Sequence, residues 1–339
     1  MTLLAYRALA PSRAFAPART LAPARAAGPH PAAAPPAATP RLTTTVAKEY
    51  VHRACHAEVF LTGSEQVNET TFTVTAQWPR AHTFFSTPDG TRHDPMQAAE
   101  TIRQAGLYLA HTRFGVPLDH KFLMWNLDYT TRSRQFVIGA TPTDLTIEAS
   151  LVPRPRRTGA TVDFTFTAIV RRGPHLAATG HARFTTVPDS SYRRLRGARR
   201  SADPAPAPAA VGRPLPPGRV GRIRPGDVVL TATGEPGTWI LTPDTWHPIL
   251  FDHANDHIPG MVLLEAARQA TNALTTPVTV TPTSAATTYH RYAEHDAPTT
   301  ITARHTPGDH PDALTTTVTG HQNGEPIFTT VLTGHPDHR

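Results

Sequence analysis

Two short segments of this chain carry the same chemistry-bearing residues at the same spacing. Glu100-Thr101-Ile102-Arg103-Gln104 and Glu265-Ala266-Ala267-Arg268-Gln269 both read Glu-x-x-Arg-Gln. Spacings of three and four place the polar side chains on one helical face. Each triplet sits in an otherwise apolar run, so its carboxylate and guanidinium are expected to be buried and paired. Burial raises a carboxyl pKa and an adjacent Arg lowers it, which leaves Glu100 and Glu265 tunable as general bases. Arg103 and Arg268 suit a phosphate or carboxylate on a substrate. The same spacing also makes an i,i+3 salt bridge that only fixes packing, and spacing does not separate the two readings.

A second candidate segment runs from Phe251 to Gly260, through Asp252, His253, Asp256 and His257. Asp-His runs of this kind are common in turns, and no partner cluster on another element is evident, so no metal site is expected. His253 lies shortly before a helix start, where the backbone N–H of Gly260 could stabilise an oxyanion. The first half carries Arg92-His93-Asp94-Pro95 in the corresponding place, but His93 aligns with Ile258. The two halves are therefore not chemically equivalent, and one functional site with one degenerate site is expected.

The elements that must position these residues occur twice. From His82 and His247 onward the halves align without a gap at an offset of 165, matching Met96 to Met261 and the two Glu-x-x-Arg-Gln segments to each other. That is an internal duplication. Proline near the first turn predicts helices over about 95–113 and 259–273. The apolar faces around Val262-Leu263-Leu264 imply a helix wrapped on most sides. Thr/Val-rich runs at 163–170, 183–187, 313–319 and 327–332 predict strands, with Asn323-Gly324 as a hairpin turn. One buried helix embraced by antiparallel strands is a hotdog; two copies make an α+β tandem hotdog, an internal pseudo-dimer.

Composition sets the boundaries. Residues 1–42 form an Ala/Pro/Arg-rich stretch expected to be disordered, and 191–225 read as a Pro/Arg-rich extended linker between repeats at 43–190 and 226–339. The two Pro/Arg stretches hold fourteen Arg against the single acid Asp203, so of the net +7 they carry +13 and the rest of the chain −6. A basic nucleic-acid-binding body is thereby excluded. The single cysteine, Cys55, rules out an internal disulfide and reads as a small buried residue. No apolar run approaches the length of about 18 residues that a membrane span needs. A cytoplasmic protein without membrane contact is expected. The aromatic run Phe122-Leu123-Met124-Trp125 reads as core or strand edge.

Pro259-Gly260 with Glu265 six residues after the proline resembles the central-helix motif of hotdog dehydratases acting on acyl-carrier-protein thioesters, with His253 as the nearest match to their His. A longer likeness covers about residues 45–335. Val51-His52-Arg53, Gln77 to His82, Arg92 to Gln104 and Phe251 to Gln269 are similar to the A-factor biosynthesis (AfsA-type) family of actinobacteria. The resemblance implies an acyltransferase that needs no cofactor. It would move a β-ketoacyl group from acyl carrier protein to the hydroxyl of dihydroxyacetone phosphate, the first committed step toward γ-butyrolactone-type signals. Glu100 or Glu265 would then be the base, His253 and His93 proton carriers, Arg103, Arg268, Gln104, Gln269 and Gly260 the substrate contacts. Glu100 would face His253 across the repeat interface, in a monomeric pseudo-dimer or a homodimer. The competing expectations are a hotdog dehydratase or thioesterase, and a non-catalytic binder of an acyl signal.

Overall fold

The computed structural model describes residues 42–155, 161–201, 212–307 and 313–336. The chain divides into two units, 1–42 and 43–339, and the second contains both repeats. The expectation of a disordered stretch at 1–42 falls almost wholly outside the described residues.

The first repeat runs β1 (Leu61–Gln66), β2 (Thr71–Trp78), α1 (Pro95–Phe114), β3 (Lys121–Thr131), β4 (Thr143–Pro155), β5 (Val162–Arg172) and β6 (His175–Val187). A short helix, α2 (Asp189–Arg196), follows. The second repeat runs β7 (Leu230–Ala232), β8 (Thr238–Leu241), α3 (Gly260–Thr275), β9 (Val280–Tyr289), β10 (Thr300–Pro307), β11 (Leu314–Gln322) and β12 (Glu325–Pro336). All strands join one sheet in the order β1-β2-β4-β5-β6-β3-β9-β12-β11-β10-β8-β7. The order reads the same from both edges once the repeats are overlaid, as a duplicated hotdog requires. The repeats meet at the antiparallel pair β3·β9, from Asn126↔Thr288 to Thr130↔Ser284.

Local chemistry explains the elements. The Asp94 carboxylate caps α1 by accepting from the Met96 N–H at 2.9 Å, Pro95 fills the first turn, and Gly115 closes the helix at φ 65°. In β5 the inward set Phe164, Phe166, Ala168 and Val170 alternates with outward residues. The curled sheet leaves α1 and α3 buried along most of their length, which explains the weak amphipathicity of α1. At Gly180 on β6 a β-carbon would stand 2.6 Å from Cδ1 of Ile102 on α1, so only glycine lets strand and helix approach this closely. Asn323 and Gly324 take φ 52° and 79°, the pair of positive values that a two-residue hairpin turn needs.

The segment expected as an extended linker is built in along its described parts. α2 packs through Tyr192 and Arg196, and Val220 and Arg222 are buried. Composition misled because acids from the second repeat meet these arginines: Arg196 spans Glu294 at 2.7 and 2.8 Å and donates to Asp256 at 3.1 Å. Residues 202–211 lie outside the described set. Cys55 is exposed, contrary to the expectation of burial.

Candidate active site

Each central helix carries its glutamate at the centre of a buried ionic cluster. Glu100 accepts from Arg103 Nε and Nη2 at 2.9 and 2.8 Å, from Gln104 Nε2 at 2.8 Å, and from Arg53 Nε at 3.0 Å. Glu265 repeats the pattern with Arg268 Nε and Nη2 at 2.9 and 2.8 Å, Gln269 Nε2 at 2.6 Å, and Arg222 Nε and Nη2 at 2.8 and 2.7 Å. The second arginine of each cluster crosses to the other repeat. Arg53 Nη1 donates to the Ile249 carbonyl at 2.9 Å, and Arg222 Nη1 to the Phe84 carbonyl at 2.6 Å.

Neither carboxylate is placed as a base. Both are fully buried with their oxygens committed to two guanidinium groups. Burial alone would raise their pKa, but Arg103 and Arg53 hold Glu100 at about 2, and Arg222 and Arg268 hold Glu265 at about 2. The glutamates are anchors for arginines. Gln104 and Gln269 are likewise spent on structure. Gln104 Oε1 accepts from the Phe60 N–H while its amide donates to the Glu58 carbonyl, and Gln269 does the same between Val229 and Asp227.

The two clusters differ in access. A cavity of about 880 Å³ opens beside the first cluster, lined by Arg53 and Arg103 on one side and by Asp252, His253 and Gly260 on the other. Glu100 itself is not on the cavity wall, so it does not face His253 as expected; Arg53 and Arg103, the arginines it holds, share the cavity with His253 instead. Apolar side chains continue the wall, among them Leu107, Phe122, Met124, Met261 and Leu263. Trp125, read from sequence as core or edge, is 40% exposed on this wall. Asp252 ties the walls together by accepting from the Ala54 N–H with both oxygens, at 2.8 and 3.0 Å. At the α3 N-terminus Pro259 is the cap and its carbonyl accepts from Val262 and Leu263. The N–H groups of Gly260 and Met261, on residues that line the cavity, have no hydrogen-bond partner among the described residues. A β-carbon at Gly260 would come within 3.1 Å of the Tyr289 ring.

The second cluster is closed. Arg222 and Arg268 are 5% and 6% exposed, and neither they nor Glu265 line the cavity. The Arg222 guanidinium lies 3.8 Å from the Phe84 ring centre and 3.5 Å from Asp94, the α1 cap. His93, expected as a proton carrier, is 1% exposed, bonded to Thr143 Oγ1 at 3.1 Å and packed on Trp78. Burial lowers its pKa to about 4. It is a core residue, as are Glu265, Arg268 and Gln269. Of the residues expected to do chemistry or bind substrate, Arg103, His253 and Gly260 stand on the cavity. Arg53, Asp252, His52 and Lys121 stand there too and were not singled out by spacing. Arg53 and Arg222 correspond at an offset of 169, outside the ungapped match, and that gap concealed their equivalence.

The buried charges set a pH dependence. Glu100 and Glu265 have folded values of about 2 against 4.5 unfolded, so their contribution is complete above pH 4.5 and lost as pH falls toward 2. His52 is lowered, mainly by burial, from 6.5 to about 3, so its cost begins below pH 6.5. Melting temperature should therefore fall monotonically as pH drops from 6.5 to 3, steepening below 4.5. Calorimetric scans across that range check this; a flat profile contradicts the ionic clusters.

Against known proteins, the family model for the A-factor biosynthesis hotdog domain (AfsA) matches residues 35–188 and 204–336. A "2-oxo-3-(phosphooxy)propyl 3-oxoalkanoate synthase" of Streptomyces virginiae is 42% identical over 292 residues, covering 86% of this chain and 98% of that protein. A synthase of the same name from Streptomyces griseus is 39% identical over 295 residues, covering 86% and 96%. Among solved structures, the 12:0-ACP thioesterase from Umbellularia californica is 10% identical, covers 80% of this chain and 100% of that one, and superposes with a TM-score of 0.47. With both repeats matched, the chain belongs to the A-factor biosynthesis hotdog family.

Proposed function

We propose that this protein is an acyltransferase joining a β-ketoacyl group, delivered as a thioester on acyl carrier protein, to the hydroxyl of dihydroxyacetone phosphate. The product is the phosphorylated ester for which the Streptomyces relatives are named. The observation that carries the reading is the composition of the open cavity, with arginines held rigid by Glu100 at one wall and a continuous apolar lining beyond them. Its volume of about 880 Å³ lies within the range of roughly 300–1,000 Å³ usual for small-molecule sites.

Arg103 and Arg53 receive the phosphate, with Lys121 on the same cavity. The apolar wall takes the acyl chain. As the substrate hydroxyl attacks the thioester carbonyl, negative charge develops on the carbonyl oxygen, and the N–H groups of Gly260 and Met261, on residues that line the cavity, receive it. The sulfur then departs with the electron pair of the C–S bond. His253 stands half-exposed on the same wall beside Asp252. The closed Glu265 cluster has a structural role.

The test is incubation of the purified chain with a β-ketoacyl thioester, with and without dihydroxyacetone phosphate, followed by mass spectrometry. A phosphorylated ester formed only with the triose phosphate is expected. Free acid or a dehydrated acyl product in its place sinks the transferase reading.

A further inference from the structure

His52 has no part in the chemistry above, yet it lines the open cavity beside Arg53 and Arg103. We propose that His52 Nδ1 is the base that takes the proton from the attacking hydroxyl, its lone pair turned toward the cavity by a two-histidine chain anchored on the Val116 carbonyl. The proposal rests on the acyl-transfer reading.

The chain of protons follows from what each group can do. His111 Nδ1 lies 2.7 Å from the Val116 carbonyl oxygen, which only accepts, so that nitrogen carries hydrogen. His111 Nε2 lies 2.9 Å from His52 Nε2, and one of the two must donate. Burial lowers the basicity of both rings and keeps them neutral near pH 7. A neutral His111 protonated at Nδ1 leaves Nε2 as acceptor, so His52 donates from Nε2 and its Nδ1 is a bare lone pair. Nδ1 has no hydrogen-bond partner among the described residues.

The backbone aims this ring. His52 sits at φ 53°, ψ 53°, the left-handed region that a β-carbon disfavours. The turn is held by His52 N–H to the Glu49 carbonyl at 3.3 Å and Arg53 N–H to the Lys48 carbonyl at 3.0 Å. It sends His52 to His111 and Phe122, and its neighbour Arg53 to Glu100. Strained backbone of this kind collects at sites that need a fixed geometry.

The charged and titratable groups near His52 are Arg103, His111, His253 and Lys121, all of which oppose its protonation. A phosphate dianion seated on Arg103 and Lys121 cancels part of that opposition, so the base strengthens when substrate binds. The hydroxyl oxygen forms the C–O bond as its proton passes to Nδ1. Collapse of the tetrahedral oxyanion breaks the C–S bond, the sulfur takes the electron pair, and the Nδ1 proton neutralises the thiolate. Alcohol and thioester become ester and thiol with nothing left over.

The test is steady-state kinetics of His52→Gly, which relaxes the left-handed residue and opens space for a small base. The expected kcat falls by about 10²–10⁴-fold, with the KM for dihydroxyacetone phosphate little changed, and added imidazole restores part of the rate. His52→Asn, also tolerant of this backbone, should show the same loss without rescue and guards against a folding failure of the first variant. Removing the positioning partner, His111→Asn, should lower kcat by a smaller factor at unchanged KM. A folded His52→Gly or His52→Asn protein with wild-type kcat overturns the proposal, as does a loss in His52→Gly that imidazole leaves untouched. Absence of phosphorylated ester from the unsubstituted chain would instead overturn the acyl-transfer reading beneath it.

Discussion

Replacing Arg103 with glutamine should lower kcat/KM for dihydroxyacetone phosphate by about 10²–10³-fold, the cost of about 3–4 kcal/mol expected when a desolvated charge-assisted contact to an anion is lost. Arg103 is the more open of the two arginines at the first cluster, with a side chain 18% exposed against 7% for Arg53. Its Nε and Nη2 are spent on Glu100 and the Val51 carbonyl, which fixes the plane of the guanidinium and leaves Nη1 for a ligand. A fork held in this way loses little freedom when the phosphate arrives. Glu100 keeps Arg53 and Gln104 in the variant, so the fold survives the change. Initial rates at varied triose phosphate and fixed thioester measure the effect. A loss below about threefold would remove Arg103 from the substrate site.

Glu265→Leu should have the largest effect on stability, about 3–5 kcal/mol, because it strands Arg222 and Arg268 as uncompensated buried charges. At about 2–4 °C per kcal/mol, the melting temperature should drop by roughly 6–20 °C. Combining it with Arg222→Met and Arg268→Met should recover much of the loss, since buried ion groups are often replaceable by packed apolar ones. Turnover per folded molecule at low temperature should stay near wild type, because this cluster is closed to the cavity. Scanning calorimetry with parallel kinetics separates the two effects. An unchanged melting temperature, or a folded protein without activity, would contradict the division of labour between the clusters.

Much of this organisation is readable from sequence, for identifiable physical reasons. The duplication, both central helices and the Asn323-Gly324 hairpin rest on local patterns: a repeated spacing, a proline or cap at a first turn, a turn that needs positive φ. The Glu-x-x-Arg-Gln faces were also legible, but their role was not. A carboxylate beside one arginine looks tunable, whereas a carboxylate between two is locked, and the second arginine comes from far along the chain. Arg53 is 47 residues from Glu100, and Arg222 is 43 from Glu265. Arg222 also sits in a Pro/Arg-rich stretch whose composition reads as solvent-exposed linker. Which of two near-equal clusters stays open is decided by neighbours that only the fold brings together, such as Phe84 and Asp94 against Arg222. The His52–His111 pair spans 59 residues and has no sequence period to reveal it.

The most direct test of where the chemistry occurs is the position of phosphorus in a crystal of the protein with its phosphorylated ester product. The expected result is phosphorus within hydrogen-bonding reach of Arg53 and Arg103, with the acyl chain running along Leu107, Phe122 and Met261. Phosphorus seated beside Arg222 and Arg268, with the Arg53 cavity empty, would contradict it.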